Sequence, residues 1–422
     1  MENRALVAAL QSYDQVRDRY LDALRAKGVV FAEPDAGADE RARLRAELAR
    51  RGVESRNAGA SLRAGWLSKA CVECTGNRGS ETFATSFRCH RDCYFCFNYN
   101  LAGYERYCVE GCPWEDELAQ AYQRTGGQLE AIALTGGEPL LNLEDSLAFL
   151  TRARELFPRA HLRMYTSGDL LTGESAARLA KAGLREIRFS VKLEDRMELM
   201  EQVLSRMELA RRHIPDVMVE MPIIPGSDDL MRQLLDRFAQ IGITGMNLLE
   251  FCFPFHNWDE FARRGFTVRN PPFFPMYDYG YSGGLPIAGS EELALSLMLY
   301  ALDKGYSFGL HYCSLENKHR SEMRQRNERA AHAHPCIAFD EGDFMLHTSK
   351  AYGPDRAPAR ALLAQAGCTD MVEDEEEDST SFPPRFTEAV RAGGVTVVDA
   401  LLVLENDGDG ASLREIGARV VG

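Results

Sequence analysis

The sequence predicts an α/β fold: a partial (β/α)6 TIM-like barrel with an N-terminal helical cap and a C-terminal α+β extension. Two observations support this prediction. From about residue 81, apolar runs of strand length alternate with helical stretches, and six such units follow one another. Repeated strand–helix units imply a parallel sheet, and six in succession favour a barrel or an open part-barrel. In such folds the chemistry lies on loops at the carboxyl ends of the strands.

The elements follow from apolar periodicity and from turn-forming residues. Strands are predicted at 82–88, 130–134, 161–166, 186–191, 217–223 and 245–251. Helices are predicted between them at 115–125, 143–156, 173–182, 195–212 and 228–240. Later elements are a helix near 290–304, a strand near 306–311, a basic helix near 315–331 and a hairpin after it.

Domain boundaries follow from changes in this pattern. Residues 1–65, with helical spacing at 3–27 and 38–52, form the predicted cap, and 66–255 form the part-barrel core with a candidate four-cysteine metal site. Residues 256–345 supply an aromatic lid loop, a helix, a strand and a hairpin that close the barrel, and 346–422 form the extension. Within the extension we expect a helix–strand–helix order from 386 to 420. The acidic run at 373–378 is expected to be a solvated loop or linker.

Composition limits the class of protein. The chain has 422 residues, 45% of them hydrophobic, and its net charge is −14. This negative balance disfavours broad binding to nucleic acid, which needs a clustered basic face. No apolar run reaches the roughly 18 residues of a membrane span, and the N-terminal region lacks an apolar signal core. We therefore expect a cytoplasmic protein that does not bind membranes.

Cysteines are concentrated in one region. Seven of the eleven lie between Cys71 and Cys112. Disulfides are rare in the reducing cytosol, so metal or cluster ligation is the natural interpretation.

The densest group is Cys89, Cys93 and Cys96, which directly follow a predicted strand. Three closely spaced thiolates on one loop can hold three corners of an iron–sulfur cube and leave the fourth iron open. From the spacing alone, three ligands of a zinc site remain an alternative.

A second motif follows the next predicted strand. It is Thr135-Gly136-Gly137-Glu138-Pro139, in which paired glycines allow close backbone approach and a carboxylate can meet an ammonium group. Together the two motifs resemble the radical S-adenosylmethionine (radical SAM) superfamily, whose cluster motif is C-x3-C-x-aromatic-C. The resemblance covers roughly residues 81–255.

The resemblance implies the cofactors, a [4Fe-4S] cluster and S-adenosylmethionine, and an enzyme whose subclass stays open. It implies that Phe95 lies against the adenine and that the backbone of Gly136 and Gly137 and the carboxylate of Glu138 hold the methionyl amine. Thr135 is a further residue of the cofactor site. Ser190 and Lys192 match the ribose- and carboxylate-binding positions more loosely, and ordinary strand-end polar residues would look the same.

The implied reaction begins with an external electron, from a flavodoxin- or ferredoxin-type donor. Cleavage of the sulfonium then gives a 5'-deoxyadenosyl radical, which abstracts hydrogen from a substrate.

Two further cysteine pairs bracket the cluster motif. Cys71, Cys74, Cys108 and Cys112 have the spacing of a four-thiolate site for zinc or a single iron. An auxiliary iron–sulfur cluster and unligated thiols remain alternatives. For Cys252, Cys313, Cys336 and Cys368 we expect core packing.

The substrate site is sought among residues that could close over the barrel mouth. We expect Lys318, Arg320 or Arg324 to hold an anionic group, with Tyr277, Tyr279 or Tyr281 in the lid. A solvated basic helix face is the alternative for the cations.

These features favour a small anionic metabolite, such as a sugar or nucleotide in a biosynthetic pathway. The first alternative is an activase or modifying enzyme that acts on a protein or peptide, which Met221-Pro222-Ile223-Ile224-Pro225-Gly226 favours because it resembles a stretch of glycyl-radical activating enzymes. The second is a non-catalytic metal-binding protein.

Overall fold

The computed structural model describes residues 3–74, 79–272, 284–331, 334–407 and 410–421. The chain divides into two compact units. The larger contains Val30–Pro271 and the later segment that ends at Lys318. The smaller contains the described residues before Val30 and after Lys318, together with Pro272.

The larger unit is built on a mixed sheet of nine strands with the order β1-β2-β11-β8-β7-β6-β5-β4-β3. The strands from β3 to β8, together with β11, run parallel, whereas β2 is antiparallel to β11 and to β1. A separate antiparallel pair, β9 and β10, lies outside this sheet. The eleven strands are β1 Glu54–Arg56, β2 Ser61–Ala64, β3 Ser80–Ala84, β4 Ala131–Thr135, β5 His161–Thr166, β6 Glu186–Phe189, β7 Asp216–Ile223, β8 Gly245–Glu250, β9 Cys252–Phe253, β10 Leu285–Pro286 and β11 Gly309–Cys313.

Helices connect most of the parallel strands. The described helices are α1 Arg4–Ala26, α2 Ala38–Arg50, α3 Lys69–Cys74, α4 Tyr104–Val109, α5 Trp114–Thr125, α6 Leu143–Leu156, α7 Gly173–Ala182, α8 Met197–Ala210, α9 Asp228–Ile241, α10 Trp258–Arg263, α11 Ser290–Asp303, α12 Leu315–Ala330, α13 Arg356–Gln365 and α14 Thr387–Ala392. Short 3-10 helices lie at Phe97–Asn100, Pro139–Asn142, Gly353–Asp355 and Pro384–Phe386. Across the described ranges, no helix combines the length and the apolar character that a bilayer crossing requires.

Local sequence explains why these helices begin, end and pack where they do. Thr172 and Ser175 form a reciprocal capping box at the start of α7, and Gly183 takes the left-handed conformation at its end. Each connecting helix buries one apolar stripe, as Phe149 of α6 and Phe238 of α9 show by being fully buried in the core.

All six strands predicted for the core are present, and helices connect them in the predicted order. The mixed α/β class is therefore confirmed, while the barrel shape stays a prediction. Strand β11 extends the parallel set close to the strand predicted at 306–311, whereas the β1–β2 hairpin beside it was not predicted. The hairpin's place in the sheet depends on pairing between distant segments, which local periodicity does not report.

The smaller unit contains an antiparallel sheet of six strands. They are β12 Ala338–Phe339, β13 Leu346–Tyr352, β14 Val372–Asp374, β15 Ser379–Phe382, β16 Val397–Asp407 and β17 Gly410–Val421. The order β14-β15-β13-β16-β17 has β12 paired with β13. Helices α13 and α14 pack on it through Leu363 and Val390, around the fully buried Phe382.

Two sequence expectations differ from this unit. The expected final helix is wrong: residues 410–421 form a strand that pairs with β16 along its length. The expected N-terminal cap is also divided, because α1 lies in the smaller unit while α2 lies in the larger one. In both places contacts with distant residues decide the structure.

Candidate functional site

The three motif cysteines lie on the loop that leaves β3. All three thiols are free; Cys89 is exposed, whereas Cys93 and Cys96 are half-buried. The Cys96 amide donates to the Cys93 carbonyl at 2.9 Å, and the Arg91 amide donates to the Cys89 sulfur at 3.4 Å. Three free thiols on one turn, with an amide directed at sulfur, are a donor set that suits an iron–sulfur cube.

Strand β3 ends at Ala84, four residues earlier than predicted, because its extension bonds to the loop after β4 instead. The Gly137 amide donates to the Ser86 carbonyl at 3.0 Å, and the Glu138 amide donates to the Arg88 carbonyl at 2.9 Å. The two motif loops are therefore locked together through backbone hydrogen bonds.

The paired glycines are required by this contact. A Cβ at Gly136 would overlap the Ser86 carbonyl, and a Cβ at Gly137 would overlap the Arg88 carbonyl. We expected the glycines to admit a ligand; in the described structure they admit the cluster loop itself. Thr135, the last residue of β4, pairs with Ala84, the last residue of β3, directly before the two motif loops meet.

The Glu138 carboxylate is buried and accepts four hydrogen bonds. One oxygen accepts from the Thr166 hydroxyl at 2.7 Å and the Leu140 amide at 3.1 Å. The other accepts from the amide and the hydroxyl of Ser167, each at 2.7 Å. These bonds use the roughly four acceptor positions of a carboxylate, so an ammonium group would have to displace one of them.

Phe95, Ser190 and Lys192 lie together. The Lys192 ammonium donates to the Ser190 hydroxyl at 2.9 Å and lies 5.8 Å from the centre of the Phe95 ring. Phe95 also packs edge-on against Phe251, with ring centres 5.7 Å apart. A cation, a hydroxyl and an aromatic face are thus adjacent, although their predicted roles remain predictions.

Lys192 also acts on the cluster thiols. Burial raises the pKa of both Cys89 and Cys96 above its ordinary value, and the Lys192 charge offsets only part of this rise. A cation beside thiols favours their deprotonated form, which is the form that binds iron.

Sequence reasoning missed a polar network that supports the cluster loop. The Asp169 carboxylate accepts from His90 Nε2 at 2.8 Å and from Arg91 Nη2 at 3.0 Å, while Arg91 Nη1 donates to Asp195 at 2.8 Å. The Ser167 hydroxyl, which donates to Glu138, also lies 2.7 Å from Asp169. A signal was present, because Thr166-Ser167-Gly168-Asp169 comes at the carboxyl end of a predicted parallel strand.

A second anchor comes from the segment after β9. His256 Nε2 donates to the Cys96 carbonyl at 2.7 Å, and the Asn257 amide group donates to the Tyr94 carbonyl at 3.4 Å. The Arg264 guanidinium lies 4.0 Å from the centre of the Tyr94 ring. The start of the predicted lid thus holds the cluster loop from its other side.

The predicted substrate residues fall in different parts of the chain. Tyr277, Tyr279 and Tyr281 lie outside the described residues, as does the side chain of Arg320. Lys318 belongs to the larger unit, where Glu220, Cys74, Cys252 and Cys313 act on its charge. Arg324 belongs to the smaller unit and pairs with Glu341 at 2.5 Å, over the Phe344 ring.

The four-cysteine pairing is not assembled in the described residues. Cys71 is buried and its sulfur accepts from Arg188 and Asn247, each at 3.3 Å. The Cys112 amide, by contrast, donates to the Thr85 carbonyl, just after β3. Among the described ranges, no group of three potential ligands within 4.8 Å of one another contains any of the four cysteines. The predicted single-ion site therefore stays a prediction without support from this geometry.

The environment of Cys71 favours a thiolate. Burial raises its pKa, but Arg188 and His311 outweigh burial and lower the pKa to about 6. Cys112, which belongs to the second predicted pair, shows the opposite shift, because burial and the Glu117 charge raise its pKa to about 11.

Comparison with known proteins addresses this arrangement directly. The family model described as "Radical SAM superfamily" matches residues 84–239, which include all three motif cysteines and the Gly-Gly-Glu-Pro loop. The chain therefore contains a radical SAM domain. It is accordingly an enzyme that uses a [4Fe-4S] cluster and S-adenosylmethionine.

A protein of Methanocaldococcus jannaschii, named as a candidate glycyl-radical enzyme activating enzyme, is similar to this radical SAM protein. The two are 27% identical over 294 residues, which cover 66% of this chain and 72% of the relative.

Similar solved structures include SuiB of Streptococcus suis, with 14% identity and a TM-score of 0.40 over 56% of this chain and 49% of SuiB. They also include the methyltransferase TsrM of Kitasatospora setae, with 18% identity and a TM-score of 0.33 over 55% of this chain and 49% of TsrM. The chain thus spans about half the length of each of these two structures.

Proposed function

We propose that this radical SAM enzyme activates or modifies a protein, abstracting a hydrogen atom from a glycine of a glycyl-radical enzyme. The observation that carries the enzymatic part is the interlocked pair of loops bearing Cys89, Cys93, Cys96 and the Gly-Gly-Glu-Pro motif. The name of the Methanocaldococcus jannaschii relative supports the class of substrate. The proposal therefore favours a protein substrate, which was the first alternative to a small anionic metabolite at the level of the sequence.

Different residues of the chain would bind the cluster, position its loop and bind S-adenosylmethionine. Cys89, Cys93 and Cys96 would hold the cluster, while Glu138 and the Asp169 network fix the loop on which they lie. Phe95, Ser190 and Lys192 would receive the aromatic and anionic parts of S-adenosylmethionine. When bound, the cluster and S-adenosylmethionine supply the radical chemistry, with an electron from a flavodoxin- or ferredoxin-type donor.

A second candidate is a small anionic substrate, and Lys318 favours it. Lys318 belongs to the larger unit and lies in the first turn of α12, which begins two residues after β11 ends. Strand ends of parallel sheets are where substrates bind, and an ammonium there could hold a phosphate or carboxylate. Lys318→Met would then raise the KM for such a substrate at least tenfold.

Isotope transfer separates the two candidates. The reconstituted, reduced enzyme is mixed with a glycyl-radical enzyme that contains α-deuterated glycine, and deuterium in 5'-deoxyadenosine is measured by mass spectrometry. Deuterium in that product, with an organic radical in the EPR spectrum of the partner, is expected. Transfer only from deuterated sugar phosphates or nucleotides would overturn the protein substrate and support the second candidate.

A further inference from the structure

One buried cation of the larger unit has no partner among the described residues. Arg163 of β5 is 4% exposed, and its Nε is enclosed without a hydrogen-bond acceptor. Over the described ranges its guanidinium forms no hydrogen bond or ion pair. The other buried lysine and arginine side chains of those ranges all pair with carboxylates; they are Arg188, Lys350 and Arg356. Because a buried charge without a counter-charge is costly, a compensating anion is expected beside Arg163.

Arg163 and Tyr165 face the polar side of the sheet. They alternate along β5 with residues such as Met164, which is fully buried in the hydrophobic core on the other side. The register places Arg163 beside Glu186 and Tyr165 beside Arg188 on β6. We call Arg163, Tyr165, Glu186 and Arg188 the polar face.

The Glu186 carboxylate, which is the neighbour of Arg163 on β6, is occupied by other groups. One of its oxygens accepts from Arg188 Nε at 2.5 Å. The other accepts from the Ser68 hydroxyl at 2.6 Å and lies 3.0 Å from His161 Nε2. Glu186 therefore balances the charge of Arg188 and leaves that of Arg163 uncompensated.

Two further neighbours do not supply the counter-charge. Desolvation raises the pKa of Cys74 and outweighs the charge of Arg163, so this thiol stays neutral. The centre of the Tyr165 ring lies 5.6 Å from the guanidinium carbon of Arg163, and such a contact offsets only part of the cost of burial. The Tyr165 hydroxyl accepts from Arg188 at 3.4 Å, and burial raises its pKa, so it keeps a hydrogen that it can donate.

The polar face leads from Arg163 towards the candidate cofactor site. Tyr165 is half-buried, whereas Arg163, two residues earlier, is buried. Ser190, a candidate cofactor residue, follows Arg188 by two residues and so lies on the same face. Strand β5 ends at Thr166, which places Arg163 roughly 10 Å along the strand from the carboxyl edge.

We propose that Arg163 and Tyr165 form a subsite for an oxyanion of the substrate, either a carboxylate or a phosphate group. The planar fork of a guanidinium matches both groups, and the Tyr165 hydroxyl adds a further donor. A substrate held there extends along the polar face, with its reacting C–H bond near the carboxyl edge. The inference rests on the proposed function, since it needs a substrate that enters at this edge. It does not depend on whether a protein side chain or a small molecule carries the oxyanion.

The first test measures stability in the absence of oxyanions. Arg163→Met removes the unpaired charge but keeps an unbranched side chain. In a buffer without phosphate or carboxylates, the reconstituted variant should therefore unfold at a higher urea concentration than the unaltered enzyme. Arg178→Met is the matched control, because Arg178 is more exposed and pairs with Glu144, and it should not raise the midpoint. A lower midpoint for Arg163→Met would assign the arginine a structural role and overturn the subsite.

The second test measures binding to the reconstituted enzyme by titration calorimetry, with inorganic phosphate and glutarate as the probes. We expect at least one probe to bind the unaltered enzyme and Arg178→Met alike. Arg163→Met should weaken this binding about tenfold or more, and Tyr165→Phe should weaken it less. Tighter binding of phosphate would identify a phosphorylated substrate, and tighter binding of glutarate would identify a carboxylate such as an acidic side chain.

S-adenosylmethionine provides the control for the cofactor site, and its affinity should be the same in all four proteins. Loss of this affinity in Arg163→Met would place the arginine in the cofactor site and overturn the proposal. It is equally overturned if neither probe shows binding that depends on Arg163 at millimolar concentrations. Neither test needs an electron donor or a partner protein, so the subsite can fail while isotope transfer from glycine succeeds, and the reverse.

Discussion

Gly137 and Glu138 lie where the loop after β4 contacts the cluster loop, and each holds that contact in a different way. Gly137 has no space for a side chain because the Arg88 carbonyl lies where a Cβ would be, and its amide bonds to Ser86. Glu138 fills its acceptor positions with Thr166, Ser167 and Leu140. Both residues therefore act on the cluster site by positioning its backbone.

Gly137→Ala should displace the cluster loop. Overpacking of this kind costs roughly 1–3 kcal/mol, and here the displaced element carries the cysteines. We expect lower stability in urea and less than half the iron bound at Cys89, Cys93 and Cys96. Gly173→Ala at the start of α7 is the matched control, since its Cβ would meet only a Leu209 methyl group at 3.8 Å. Equal iron content in the two variants would show that the junction does not control the loop.

Arg188 shows why a buried charge depends on its partners. It is fully buried and bonds to Glu186 at 2.5 Å, to Glu220 and to Cys71. Burial raises the pKa of Glu186, but Arg188 and His161 outweigh burial and hold the pKa well below its usual range.

Arg188→Met should therefore remove the principal cation beside the Glu186 and Glu220 carboxylates, at a cost of about 3–5 kcal/mol. Arg178→Gln removes a more exposed ion pair with Glu144 and should cost less than about 1 kcal/mol. Unfolding of both metal-free proteins in urea measures the difference. Similar losses in the two variants would contradict the ion network.

At the scale of elements, the buried imidazole of His347 connects β13 both to β16 and to the turn between β12 and β13. His347 Nδ1 lies 2.8 Å from Asp399 of β16, and its Nε2 lies 3.2 Å from Asp343 in the turn. Burial lowers the pKa of His347, but the two carboxylates outweigh burial and raise it to about 9.

A histidine with a raised pKa stabilises the fold fully below its unfolded pKa of about 6.5, and the effect is lost as pH rises through 9. The contribution is on the order of 3 kcal/mol. We predict that the smaller unit unfolds more readily at pH 9.5 than at pH 6, and that His347→Gln removes most of this difference. Hydrogen exchange of β13 amides, compared between the two proteins, measures it. An unchanged pH dependence in the variant would refute the assignment to His347.

Elements also show where local sequence is insufficient. The last element of the stretch 386–420 was predicted as a helix, yet residues 410–421 pair with β16 and form a strand. The acidic run at 373–378 was expected to be a solvated loop or linker. The run is indeed mostly exposed, with a turn at 375–378. Its ion pairs were not predicted: Glu373, Glu375 and Asp378 pair with Arg356, and Glu377 pairs with Lys350. In each place the partner is distant in sequence, so periodicity and charge counting could not identify it.

At the scale of the whole molecule, the repeating strand–helix units were predictable because each unit carries its own apolar pattern. The cluster loop was predictable because its chemistry is contained in eight residues, from Cys89 to Cys96. The supporting network of His90, Asp169 and Asp195 was not predicted, since it arises only when separate strands lie side by side. The residues of a short motif can therefore be recognised from sequence, whereas the residues that hold the motif in place come together only in the folded sheet.

The central claim is that Cys89, Cys93 and Cys96 hold the cluster at which S-adenosylmethionine is cleaved. The most direct measurement is 5'-deoxyadenosine formed by the reconstituted, dithionite-reduced enzyme, compared with Cys96→Ala and with Cys336→Ala as the control. We predict that the enzyme and the control form 5'-deoxyadenosine at similar rates, and that Cys96→Ala loses at least 99% of this activity, on the order of 3 kcal/mol in barrier height. Cleavage of S-adenosylmethionine by a folded Cys96→Ala protein at the rate of the unaltered enzyme would contradict the account.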